Sequence, residues 1–272
     1  MRLKELLYLL GFKPKSRTYG FEINSFDLPD DGRVEYAQWL HPGESRKELT
    51  QEAVNELRKY LSAGDVAIDI GAHSGDTTVP MALAVGPSGC VLALEPNSYV
   101  FPVLKMNSEL NTSKTSIIPL MIAATQSDEE LEFEYSDSGF CNGGFHEGIS
   151  RLRHGHAFSL KVQGRNLVAL LEAEYPNLID RIRYIKIDTE GYDLSVIKSI
   201  HDLLARQMPF LKAEVYKHTD RQYRREMHRI LSDLGYALHK VEGDGKYTGQ
   251  ELSAQDMSDW RHFDVFCIPH KR

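Results

Sequence analysis

Two kinds of hydrophobic pattern alternate along the chain from Val66 onward. Val66-Ala-Ile-Asp-Ile70 and Val91-Leu-Ala-Leu94 are short, almost unbroken apolar runs, the pattern of strands buried on both faces. Between them, Val79-Pro-Met-Ala-Leu-Ala-Val85 reads as a buried helix set between Gly71-Ala-His-Ser-Gly75 and the breaker Gly86-Pro-Ser-Gly89. Phe101 to Leu110 gives a second helix with Val103, Leu104 and Leu110 inward, which completes a βαβα unit. Ser116 to Ala124 suits a third strand, and the alternating Glu130 to Tyr135 suits a solvent-facing hairpin or edge element.

The same alternation runs to the end. A helix is expected near Leu167 to Glu174, a strand at Tyr184 to Ile187, a helix around Leu194 to Leu204 and a strand at Leu211 to Tyr216. Tyr223 to Leu234 is a last amphipathic helix, and Tyr236 to Val241 and Asp264 to Ile268 are closing strands. Strands alternating with helices predict an α/β fold, a mostly parallel sheet with helices on both faces. Upstream, Leu28 to Arg33 reads as a turn between two extended pieces, and Thr50 to Leu61 as an amphipathic helix with Thr50 as its N-cap. With no repeat and no linker in view, residues 1–49 read as an N-terminal cap on one domain spanning residues 50–272.

Length and composition agree with one ordinary globular domain: 272 residues, 42% hydrophobic and 26% charged. The net charge of −7 gives no overall attraction to nucleic acid, so a nucleic-acid partner is not expected. Cys90, Cys141 and Cys267 form no CxxC and no zinc-ligand spacing, which excludes a disulfide scaffold and points to a reducing, cytoplasmic setting. Leu6 to Leu10 falls short of a signal-peptide core and of the ~20 residues of a membrane span. Flanked by Arg2, Lys4, Lys13, Lys15 and Arg17, that run reads as a packing helix, with an interfacial anchor as the lesser alternative, and stable membrane insertion is not expected. Oligomeric state is left open, with Met1 to Tyr19 available to pack on a partner subunit.

Asp69-Ile-Gly71-Ala72-His73-Ser-Gly75 carries the first chemistry. Glycines between a strand end and a helix start let backbone approach a ligand, and the helix offers free N–H donors. The next strand ends in Glu95-Pro96-Asn97, about 20 residues on, where a carboxylate can accept ribose hydroxyls. Together they point to a nucleoside cofactor. The dinucleotide fingerprint G-x-G-x-x-G is incomplete here. Asp69 would repel a pyrophosphate yet could anchor the amino group of a methionine moiety, directly or through water, which favours S-adenosylmethionine over a nicotinamide dinucleotide.

These segments, with Leu104-Lys-Met-Asn107, Asn111 and Ile185-Lys-Ile-Asp-Thr-Glu-Gly191, resemble the FkbM-type family of S-adenosylmethionine-dependent methyltransferases over roughly Gln51 to Tyr216. The resemblance implies a Rossmann-like seven-stranded sheet of order 3-2-1-4-5-7-6 with the last strand antiparallel. It implies that Asp69, Gly71, Gly75 and Thr77 line the methionine and ribose part, with Ala72 and His73 in the same loop. It places Glu95 at the ribose with Pro96 and Asn97 beside it and Ala123 at the adenine, and counts Asp188 with them among the cofactor-binding residues. His73 departs from an Asn often found there, and Val168 from an Asp.

An acceptor hydroxyl needs a base. Asp188 and Glu190 after the fourth strand, Glu214 at the end of the fifth and His218 beyond it are the candidates. His146, His154 and His156, in or beside the glycine-rich Ser136 to Gly155 stretch, could be brought in by a closing lid. No metal spacing is diagnostic, and none is expected. The resemblance implies O-methylation of a sugar, glycan or glycosylated natural product. A nicotinamide-dependent oxidoreductase and a non-catalytic nucleoside-binding module are the alternatives.

Overall fold

The computed structural model describes residues 14–141, 143–144 and 158–270. Seven strands form the central sheet: β3 (Val66–Ile70), β4 (Cys90–Leu94), β5 (Ile117–Leu120), β10 (Ile182–Ile187), β11 (Phe210–Val215), β12 (Tyr236–Lys240) and β13 (Phe263–Pro269). Their order is β12-β13-β11-β10-β3-β4-β5, which is 3-2-1-4-5-7-6 when read from β5. All neighbours are parallel except those of β13, which runs antiparallel to β11 and β12. This is the mostly parallel, Rossmann-like α/β sheet that the apolar runs imply.

Strand alternation distributes side chains to the two faces. Ile68, Ile70, Leu92, Leu94, Ile185 and Ile187 point into one core, with Leu170, Ile197, Leu204 and Met227. Those four residues lie on α4 (Leu167–Glu174), α6 (Asp193–Ser199), α7 (His201–Gln207) and α8 (Arg221–Asp233). The short α5 (Pro176–Ile179) follows α4. Ala67, Val91, Tyr184 and Phe266 face the opposite core, against Leu57, Met81 and Val85. That side is covered by α1 (Gln51–Leu57) and α2 (Thr78–Val85). Thr50 caps α1 as the sequence predicts, its Oγ1 accepting from Ala53 N at 3.2 Å.

Three elements differ from the sequence reading. Ser116 to Ala124 is not one strand: β5 ends at Leu120, Met121 is exposed, and β6 (Ala123–Thr125) leaves for a second sheet. That sheet, of order β6-β9-β7-β8, contains β7 (Glu129–Tyr135), β8 (Gly143–Gly144) and β9 (Phe158–Asn166). The half-polar run of β9 carries no strong strand signal, and it went unpredicted. The helix expected around Leu194 to Leu204 is two, α6 and α7, parted at Ile200.

The extended pieces near the N-terminus form an antiparallel hairpin, β1 (Phe21–Leu28) and β2 (Gly32–Trp39). Asparagines of α3 (Phe101–Glu109) and of the turn after it fasten β2 to the domain. Asn107 Oδ1 accepts from Ala37 N at 2.7 Å while its Nδ2 donates to Ala37 O at 3.0 Å. Asn111 repeats this pair of bonds on Glu35, at 2.9 and 2.8 Å. Spaced four apart, the two side chains act like a further strand paired to the β2 edge.

Candidate functional site

The carboxyl end of the sheet opens into a cavity of about 310 Å³, a size at the lower end of ligand pockets. It begins where β3 meets β10. Gly71 has φ +83°, and a Cβ there would lie 1.9 Å from the carbonyl oxygen of Asp188. Only glycine lets the two strand ends close so tightly. The cavity then runs past Glu95, Pro96 and Asn97 after β4 to Ala123 in β6, and Phe133 and Tyr135 of β7 cover it.

Glu95 is set as a cradle in the cavity wall. Its Oε2 accepts from His73 N and its Oε1 from Asn97 N, both at 2.8 Å, so both oxygens are fixed in direction. His73 holds φ 48°, an uncommon conformation for a residue with a Cβ, and this turns its N–H towards Glu95. Burial pushes the Glu95 carboxyl above the usual carboxylate range, although His73 and the backbone donors oppose the shift.

Asp69 lies beneath the floor of the cavity and does not line it. It is fully buried on the α2 side of β3, where Thr77 and Thr78 hydroxyls donate to its Oδ2 at 2.8 and 2.6 Å. Lys186 Nζ stands 3.4 Å from Oδ1. Strand alternation turns the Asp69 side chain inward, where it organises the start of α2, so Asp69 makes no direct contact with the cavity. Lys186 also reaches Asp188 Oδ2 at 3.2 Å, and it lines the cavity. Burial works against its charge, but Asp188, Asp69 and Asp76 more than offset this and hold the ammonium above the ordinary lysine range.

The end of the cavity at β10 leads to a second carboxylate group. Asp193 is buried and accepts from Thr189 Oγ1 at 3.0 Å and Gly191 N at 3.2 Å, while its Oδ1 has no hydrogen bond. Burial and Asp188 push it up to about 7. Glu214, 5% exposed, lies 2.8 Å from His262 Nε2. Burial, then Asp188, Asp193 and Glu190, raise it to about 10. Glu190, in a left-handed backbone conformation at φ 55°, is raised by desolvation and then by Asp188.

Of the residues singled out from the sequence, the structure gathers Gly71, His73, Thr77, Glu95, Pro96, Asn97, Ala123, Asp188 and Glu190 around one cavity. Ala72, Gly75 and Asp69 do not line it. Glu214 and His218 stand outside the lining: Glu214 faces His262, and His218 is exposed on the loop after β11, its ring 5.4 Å from Tyr216. His146, His154 and His156 lie outside the described residues. Among the described residues no group of three or more His, Cys, Asp or Glu could hold a metal ion, and no helix is long and apolar enough to cross a membrane.

Sequence reasoning missed Glu44, Lys47, Asp76, Tyr135 and Lys186 as lining residues. Lys186 had a signal, since a lysine inside a buried parallel strand demands a carboxylate partner. Glu44 and Lys47 had none, because they reach the cavity from a loop far away in sequence.

Residues 69–238, more than half of the chain, match the family profile of the methyltransferase FkbM domain. No curated protein matches the sequence. Among solved structures, a methyltransferase FkbM from Methylobacillus flagellatus KT is similar at 14% identity and a TM-score of 0.45, over 76% of this chain and 44% of that one. This chain thus spans less than half the length of that protein. An Aeropyrum pernix fibrillarin in complex with natively bound S-adenosyl-L-methionine is similar at 12% identity and a TM-score of 0.42, over 93% and 99%. An S-adenosylmethionine-dependent methyltransferase from Aquifex aeolicus is similar at 12% identity and a TM-score of 0.38, over 79% and 88%.

Proposed function

We propose that this chain, which belongs to the methyltransferase FkbM domain family and takes S-adenosyl-L-methionine as its cofactor, methylates a hydroxyl of a sugar, glycan or glycosylated natural product. The observation that carries this reading is the cavity itself. A fixed carboxylate, Glu95, stands midway between a glycine turn on one side and an apolar end at Ala123 and Phe133 on the other. Such a carboxylate suits a ribose diol, the glycine turn admits the chain attached to the sugar, and the apolar end suits an adenine ring. When bound, the cofactor supplies an electrophilic methyl group on a sulfonium.

The protein's task is then to align the acceptor, exclude water and take one proton. Asp188 and Glu190 line the cavity at the end of β10, where α/β sheets bind ligands. Asp188 is committed to Lys186 and supplies negative charge near the acceptor. Glu190, with its raised pKa, accepts the hydroxyl proton, which a carboxyl of ordinary acidity does less well. Glu214 supports this edge through His262. The free thiols Cys90, Cys141 and Cys267 and the net charge of −7 favour a cytoplasmic enzyme with a small-molecule or glycan acceptor over one acting on nucleic acid.

Mass spectrometry of nucleotide sugars, glycans and macrolides incubated with protein and cofactor tests the reading. We expect one acceptor to gain a single methyl group on oxygen, and Glu190→Ala to lose that product while still binding S-adenosylhomocysteine. Methylation confined to nitrogen or to nucleic acid would overturn it.

A further inference from the structure

We infer that Glu44, Lys47 and Asp76 form the subsite for the amino-acid end of the cofactor, so that the loop between β2 and α1, outside the matched domain, completes the cofactor site. The inference rests on the cofactor assignment made above. A cofactor with its adenine at Ala123 and its ribose at Glu95 points its remaining chain back along the sheet edge, over Gly71 towards the start of α2. That end of the cavity is lined by Glu44, Lys47, His73 and Asp76.

The charges there mirror an amino acid. Lys47 Nζ lies 2.9 Å from Asp76 Oδ2 and 3.1 Å from Glu44 Oε1, which places one ammonium between two carboxylates. An α-carboxylate binds the ammonium, and an α-ammonium binds the carboxylates. Glu44 also has capacity to spare. Its side chain is only 7% exposed, yet Oε1 takes no hydrogen bond of proper geometry, and Oε2 has only the Cys141 thiol at 3.9 Å and the distant His73 ring at 3.8 Å. A buried carboxylate met only by one ion pair and two long contacts, at the end of a ligand-sized cavity, has capacity for a further donor from the ligand. Asp69 does not line the cavity, and its Oδ2 already accepts from Thr77 and Thr78.

Calorimetry with two probes tests the assignment. S-Adenosylhomocysteine carries the amino-acid end, whereas 5′-methylthioadenosine keeps the nucleoside and the thioether but lacks it. Lys47→Ala and Glu44→Gln are each expected to weaken S-adenosylhomocysteine by about 10- to 100-fold, the range for a charged hydrogen bond. Binding of 5′-methylthioadenosine should stay as in the unaltered protein, which also shows that each variant is folded. Unchanged S-adenosylhomocysteine affinity in both variants, or equal losses for the two probes, overturns the subsite while leaving the cofactor assignment in place. Absence of S-adenosylhomocysteine binding by the unaltered protein overturns both.

Discussion

The two sets of carboxylates along the sheet edge are built on opposite terms. At β3 and β4, Asp69 and Glu95 each face donors: two threonine hydroxyls on one oxygen of Asp69 with an ion pair to Lys186 at the other, which takes no hydrogen bond, and two backbone N–H groups on Glu95. At β10 and β11, Asp188, Glu190, Asp193 and Glu214 crowd together, and buried oxygens of Asp193 and Glu214 take no hydrogen bond. The first set is fixed in direction, Asp69 beneath the cavity floor and Glu95 in its wall. The second is charged with mutual repulsion and therefore with affinity for protons, which suits the edge where an acceptor must lose one.

Lys186 is the tie between the two sets, and removing it should have the largest effect. Lys186→Met leaves Asp69 buried without its cation, and we expect a loss of about 3–5 kcal/mol in urea denaturation. A loss below about 1 kcal/mol would show that the threonines alone suffice. On the β3 side, Thr78→Val removes a buried hydroxyl that donates to a carboxylate, at a cost of about 1.5–3 kcal/mol by the same measurement.

The β11 side predicts a change of opposite sign. Burial and the neighbouring carboxylates raise the Glu214 carboxyl to about 10 in the folded protein, above its ordinary value of 4.5 in the unfolded chain. Its contribution to stability is thus complete below pH 4.5 and is lost progressively as the pH rises towards 10. Glu214→Gln cannot ionise, so its stability relative to the unaltered protein should climb between pH 5 and pH 9, by more than the roughly 1.4 kcal/mol of one pKa unit. A pH-independent difference would mean that Glu214 carries its charge in the fold. Smallest of all, Thr50→Ala lies outside both sets and should cost only about 1 kcal/mol, through the lost cap of α1.

The same contrast explains what the sequence discloses. Strands β3, β4 and β10 are legible because a strand buried on both faces must be apolar almost throughout. The glycine turn and Glu95 are legible as cavity-lining residues because they lie close together in sequence, at the ends of adjacent strands. For Asp69 the position beside the glycines is visible in sequence, but the face towards which strand alternation turns its side chain is not. The break at Met121 and the strand β9 are hidden because both belong to a second sheet whose polar outer face weakens the pattern. Glu44 and Lys47 arrive at the cavity by tertiary packing, through Asn107 and Asn111 holding β2 in place, and nothing local marks them.

The central claim is that the cavity around Glu95 is the cofactor site. Titration calorimetry of S-adenosylhomocysteine against the unaltered protein and Glu95→Ala tests it most directly. The account predicts one site per chain in the unaltered protein, weakened by at least about 10-fold in the variant, through loss of charged hydrogen bonds to the ribose. Equal affinity in both, or no binding to the unaltered protein, would contradict it.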